Sequence, residues 1–210
     1  MAKTLGKDGN DFGLGLLSGN YRADKDYASK TGQEIIIENM QNGVKVVLPA
    51  FLTSLDQNFD SSWNTEDVFG RMDAIATYQG TKRTVNFGVN IISRSFEDAT
   101  KNHTKFSTLT KMVYPSYNKD NIMSKAPLVK IKFGSLICDQ NGKGLLGYLN
   151  GFKYSYNQEM GYFINNEISL PKVITTDFTL NVLHTNPLGN DGKKWKGGVA
   201  NTRFPFGKLK

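Results

Sequence analysis

Residues 83–92 read RTVNFGVNII, and this stretch decides the fold class. Val85, Phe87, Val89 and Ile91 alternate with Thr84, Asn86, Gly88 and Asn90. Successive side chains of an extended chain point to opposite faces, so the spacing buries one row of a strand and leaves the other in water. The same period recurs elsewhere. LVKIKF (128–133) sets Val129, Ile131 and Phe133 against Lys130 and Lys132, and VITTDFTLNVLH (173–184) alternates Phe178, Leu180 and Val182 with polar neighbours. QEIIIE (33–38) is followed by Asn42-Gly43 and the run Val44–Leu52. Two apolar runs joined by Asn-Gly predict a hairpin, because a tight primed turn needs positive φ at both central residues.

Ala74–Tyr78 and Arg83–Ile92, separated by Gln79-Gly80-Thr81, are expected to form a second hairpin. DQNGKG (139–144) is a turn leading into LLGYLNGFKYSY (145–156), where Tyr148, Phe152, Tyr154 and Tyr156 are expected on one side. One segment departs from the β period. Ser95 is a helix N-cap with Glu97 and Asp98 in the first turn, and Phe96, Ala99, His103, Phe106, Thr110 and Val113 recur three or four apart until Pro115. The expected class is therefore mainly β (α+β), antiparallel strands flanked by one helix over about 96–113. The expected organisation is an extended N-terminal arm (1–32), a single β domain (33–190) and a basic C-terminal tail (191–210). The arm is rich in Gly, Asp, Asn and Lys, with one apolar island at Leu14, Leu16 and Leu17, too little to order it alone.

The 210 residues suffice for one cored domain, and the formal charge of +7 is spread along the chain rather than gathered into one block. Its densest part is Lys193, Lys194 and Lys196 around Trp195, followed by Lys208 and Lys210. A solvated end is the simple account of that tail, and a partner- or phosphate-contacting arm the sharper one. Cys138 is the only cysteine, which excludes an intrachain disulfide. The N-terminus lacks an apolar stretch of signal-peptide length, and nowhere do about 18 apolar residues run together. A soluble protein made and assembled in cytoplasm is expected.

Catalytic chemistry finds few residues to use. His103 lies on the helix and His184 closes the last strand in HTNPLG; a Cys-His pair with Cys138 matches no nucleophile signature. One Cys and two distant His do not make a zinc cage, no segment has calcium-loop spacing, and GKGLLG (142–147) lacks the order of a phosphate loop. Neither a cofactor nor a metal is expected. The segment FDSSWNTEDVFGRMD (59–73) carries the adjacent acids Glu66 and Asp67, whereas acid–base hydrolysis needs two carboxylates facing across a cleft. Its simpler reading is a connection with a short turn or helical start at Asn64–Glu66, anchored by Trp63 and Phe69, with Arg71 paired to an acid.

The order of these segments over roughly 45–190 resembles a family of virion proteins of tailed bacteriophages, the baseplate or tail-tube-end proteins of contractile tails. The most specific pieces are SWNTEDVFGRMD with YQGTKR, KMVYPSY at the helix exit, KFGSLI and VLHTNPLG. The resemblance implies a tail-tube-like β-barrel or sandwich flanked by a helix, of tube-initiator or tube-cap type, whose hairpins continue into neighbours. It implies a homohexameric ring in the virion that contacts tail-tube and baseplate hub proteins and lines the path of genomic DNA, with no enzymatic role and no membrane. The interface candidates are Trp63, Asn64, Glu66, Asp67, Phe69, Arg71, Gln79 and Arg83. A peripheral role as a baseplate wedge protein is one alternative. A basic single-stranded nucleic-acid-binding module is another, motivated by the charge and the aromatic strand Tyr148–Tyr156. A wall-degrading enzyme using Glu66 and Asp67 is a third.

Overall fold

A computed structural model describes residues 34–49, 51–139, 141–192, 195–196 and 204–206. The expected N-terminal arm, and Lys193, Lys194, Lys208 and Lys210 of the tail, lie outside the described residues. The main strands are β1 (Glu34–Asn39), β2 (Lys45–Pro49), β3 (Phe51–Glu66), β4 (Ile75–Ile92), β7 (Leu128–Phe133), β8 (Leu145–Tyr156) and β11 (Val173–Val182). They form one antiparallel sheet in the order β2-β1-β7-β8-β11-β4-β3. Short two-stranded pairs lie outside it: β5 (Ser116–Tyr117) with β6 (Met123–Lys125), β9 (Tyr162–Asn165) with β10 (Ile168–Pro171), and β12 (Gly189–Asn190) with β13 (Trp195–Lys196). β2 and β3 are the two edges, so among the described residues the expected barrel does not close.

The register carries one apolar face across the sheet. Ile35 and Ile37 of β1 pair with Leu48 and Val46 of β2 and with Phe133 and Ile131 of β7. Beyond them Leu180 pairs with Leu149 and Val85, and Phe87 pairs with Phe178 and Leu55. These residues share a single core cluster, in which Phe87 stacks on Phe178 at 4.8 Å between ring centres. Burial of such side chains at about 1.5–3 kcal/mol each is the main force holding the layers together. The hairpin carrying Asn42-Gly43 forms, closed by a 2.9 Å hydrogen bond from the Asn39 amide to the Val44 carbonyl, but not through the expected primed turn: Gly43 takes φ 71 while Asn42 stays out of the positive-φ region, and the loop spans residues 40–43. In the DQNGKG turn, the Asp139 carboxylate accepts from the Asn141 and Lys143 amides, and Gly142 takes φ 75.

The helix α1 (Phe96–Met112) lies against the core face. Ser95 caps it by accepting from the Asp98 amide, and Lys101 pairs with Glu97 one turn back at 2.9 Å. The buried stripe is Ala99, Asn102, Phe106, Leu109 and Met112. It is rotated from the expected one: His103 is exposed, while Asn102 is drawn inward by a hydrogen bond from its amide to the buried Ser93 hydroxyl. The helix ends three residues before Pro115, with Val113 as C-cap.

Two other expectations are corrected. Gln79-Gly80-Thr81 is no turn: β4 runs unbroken through it, and its hairpin partner is β3, so 51–66 is strand and Asn64–Glu66 start neither a turn nor a helix. In β8, Gly151 at φ 67 and Phe152 together oppose the single residue Phe178, a bulge that shifts the alternation by one residue. Tyr148 pairs with Asn181 on the polar face, whereas Tyr154 and Tyr156 pair with Thr176 and Ile174 on the core face. The four aromatics therefore do not line one side. Tyr154 and Phe152 instead join Phe106 and Phe178 in a run of ring contacts.

Candidate functional site

β11 covers β4 only as far as Thr84, which pairs with Asn181. Beyond that point Phe59–Glu66 and Ile75–Arg83 pair with each other alone. At about 3.3 Å per residue this two-stranded ribbon extends roughly 26 Å. Gln79 is the extra residue of a bulge between the Ser62–Gly80 and Trp63–Tyr78 pairs. By absorbing that residue on β4, the bulge leaves Trp63 and Tyr78 on the face that continues from Leu55 and Phe59. Trp63 meets Tyr78 edge-on at 5.2 Å, and the Tyr78 hydroxyl and the Thr81 hydroxyl share a 2.6 Å hydrogen bond. At the tip, the Arg71 amide donates to the Val68 carbonyl at 3.1 Å and Gly70 takes φ 87. That is the conformation of a four-residue turn whose third position needs positive φ, and it throws the second residue, Phe69, outward.

Of the interface candidates, Trp63, Asn64, Glu66, Asp67, Phe69, Arg71 and Gln79 are all brought onto this ribbon and its tip, and all are exposed. Trp63 is 56% exposed and Phe69 is fully so, at 106%; neither anchors the chain. Arg71 makes no ion pair with a described acid. Met72, Ile75, Val68 and Tyr78 add to the exposed apolar surface.

Arg83 is placed differently, at only 2% exposure. It falls in phase with Val85, Phe87, Val89 and Ile91, so the alternation that buries those residues carries the guanidinium inward too; that phase was visible in the sequence. Its Nη2 donates to Gln57 Oε1 at 2.5 Å and to the Pro205 carbonyl at 3.4 Å, and its charge lies over the rings of Phe59 and Phe204 at 5.4 and 5.7 Å. Its Nε has no hydrogen-bond partner among the described residues. Burial lowers the guanidinium pKa from its ordinary value to about 10, partly opposed by Cys138. The group stays charged at neutral pH. Beside it is a cavity of about 110 Å³ at the end of the sheet where β8 begins and β11 ends, lined among others by Lys130, Cys138, Leu145, Val182 and His184. Burial and then the Arg83 charge lower the His184 pKa, favouring its neutral form.

Phe204 and Pro205 close over this corner. Phe204 meets Phe59 at 6.1 Å and Trp195 at 5.2 Å. A larger adjoining groove is bordered by Phe59, Tyr78, Leu188 and Trp195 and shares His184 and Phe204 with the cavity. Among the described residues, no three His, Cys, Asp or Glu side chains gather as metal ligands, and no helix is long and apolar enough to cross a membrane.

The fold and site define a mainly β protein, antiparallel and with one helix among the described residues, that displays a long aromatic ribbon beside a buried cationic pocket. No family model matches the chain, and no curated protein does. Among solved structures it is similar to a chain in the cryo-EM structure of the anti-feeding prophage (AFP) baseplate, 6-fold symmetrised. The identity is 6%, the match covers 69% of this chain and 85% of that chain, and the TM-score is 0.30.

Proposed function

We propose that this chain is a non-enzymatic structural subunit of a phage tail baseplate, forming a homohexameric ring of tube-initiator or tube-cap type at the end of the tail tube. The observation that carries this reading is the projecting ribbon. A lone two-stranded hairpin is marginal in water, and this one presents Trp63, Tyr78, Ile75, Phe69 and Met72 to solvent. A second copy of the chain that covers the ribbon removes this apolar surface from water and adds strands or side chains along its edges. The family resemblance of 45–190 supplies the setting: tail-tube and hub proteins as axial neighbours, and DNA passing through the lumen. The aromatic strand gives the nucleic-acid module little support, since Tyr148 faces away from Tyr154 and Tyr156.

Sedimentation velocity and negative-stain electron microscopy of the purified chain, alone and mixed with tail-tube and hub proteins, test the reading. Concentration-dependent rings are expected. A chain that stays monomeric in every mixture refutes it.

A further inference from the structure

We propose that Phe204 and Pro205 form a clasp that keeps the root of the ribbon ordered, with Arg83 as its pin. The sheet stops supporting the ribbon at one place. β11 covers β4 as far as the Asn181–Thr84 pair, and from Arg83 outward that edge of β4 has no strand partner among the described residues. A two-stranded hairpin alone is marginal in water, so this one opens from its root unless another element takes over where β11 leaves.

Phe204 and Pro205 sit at that place. Arg83 and Phe59 face each other across the first ribbon pair, and Gln57 lies two residues along β3 on the same face as Phe59. The Arg83 guanidinium joins both strands to the clasp: Nη2 donates to Gln57 Oε1 and to the Pro205 carbonyl, and the charge lies over the rings of Phe59 and Phe204. Phe204 meets Phe59 edge-on as well. Behind Phe204 stands Trp195 of β13, which pairs with β12, the strand that follows β11 in the chain. The clasp therefore ties the ribbon root back to the element that has just left it.

Arg83 fills this position at a cost in desolvation. It falls in phase with Val85 and Phe87, where an apolar side chain would be buried without that cost, yet the guanidinium is there at 2% exposure. A buried guanidinium is tolerated only while its acceptors and ring faces keep one arrangement, so it contributes fixed geometry more than stability. Arg83 is thus a positioning residue for the ribbon. The clasp acts within one protomer and does not require the ring, so the two proposals fail separately.

The test is hydrogen exchange read by mass spectrometry on the dilute, whole chain, comparing the ribbon (59–66 and 75–83) with β11. Ribbon amides are expected to be protected in the unaltered chain. Phe204→Ala is expected to speed their exchange by about tenfold or more while β11 stays within about threefold, and Phe204→Tyr, which keeps the ring, is expected to leave both unchanged. Arg83→Met, similar in length but without charge or donors, is expected to speed the ribbon alone in the same way. Unprotected ribbon amides in the unaltered chain, Phe204→Ala within about threefold of it, Phe204→Tyr as fast as Phe204→Ala, or equal acceleration of ribbon and β11 overturns the proposal, whether or not Arg83→Met folds.

Discussion

Trp63→Ala separates assembly from folding. Within the protomer Trp63 is 56% exposed and its ring contact is the edge of Tyr78. A Trp side chain presents about 200 Å², so rather less than half of it, about 90 Å², is covered in the protomer and about 110 Å² remains for a neighbour. At about 25 cal/mol per Å² the covered part contributes at most ~2 kcal/mol to folding, and the denatured state already buries some of that. The exposed part contributes ~3 kcal/mol when a second copy covers it. The variant is therefore expected to lower Tm by at most about 4–8 °C, given roughly 2–4 °C per kcal/mol for a chain of this size. Association should weaken by about 100-fold or more, because 1.4 kcal/mol is a factor of ten. Scanning calorimetry of the dilute chain gives the first quantity and sedimentation equilibrium the second. Association constants within about threefold of one another, or a Tm loss as large as that of a core cavity, would show that Trp63 belongs to the protomer and not to an interface.

Arg71→Glu at the exposed turn should leave the stability of the dilute chain within about 0.5 kcal/mol and still impair ring formation in the same sedimentation assay. Phe87→Ala removes a ring that is 1% exposed and stacked on Phe178, so urea denaturation should show a loss of about 3–5 kcal/mol. Gly147→Ala would set its Cβ 2.2 Å from the Asn181 carbonyl oxygen across the β8–β11 pair, and the forced shift should cost about 1–3 kcal/mol in the same experiment. His184 has a folded pKa below its usual 6.5, so the unfolded chain takes up this proton first as pH falls. Stability should be retained above pH 6.5 and decline as pH falls through 6.5 towards the folded value; in His184→Asn, chemical denaturation across pH should show that slope reduced.

Parts of the site were legible in the residues themselves. FDSSWNTEDVFGRMD stood out for its aromatic and charged residues, but its Trp63 and Phe69, expected as anchors, are exposed because the segment has no buried row to join. It did not reveal a strand. Phe51–Glu66 lacks a clean alternation because the ribbon's outer half is wet on both faces, and its extended conformation is enforced by pairing with β4 rather than by local pattern. Gly80 likewise suggested a turn because glycine permits one; the cross-strand ladder made it mid-strand and placed the bulge at Gln79. β9–β10 was missed for a related reason, its turn being Asn166-Glu167, both at positive φ, in place of the Asn-Gly pair that signals a primed turn.

The sequence by itself determined backbone type and facing: the period of two in 83–92, 128–133 and 173–184, the Asn42-Gly43 turn, the Ser95 cap and the phase that carries Arg83 inward with Val85 and Phe87. These depend on neighbours a few residues away. Only the tertiary structure decided the strand order, the phase shift at Gly151 and Phe152, the rotation of α1 that exposes His103, and the cavity beside Arg83. Backbone hydrogen bonds are the same at every residue and name no partner. Which strands meet is therefore set by how distant apolar faces fill a common core, and that sum is written in no single stretch of the chain.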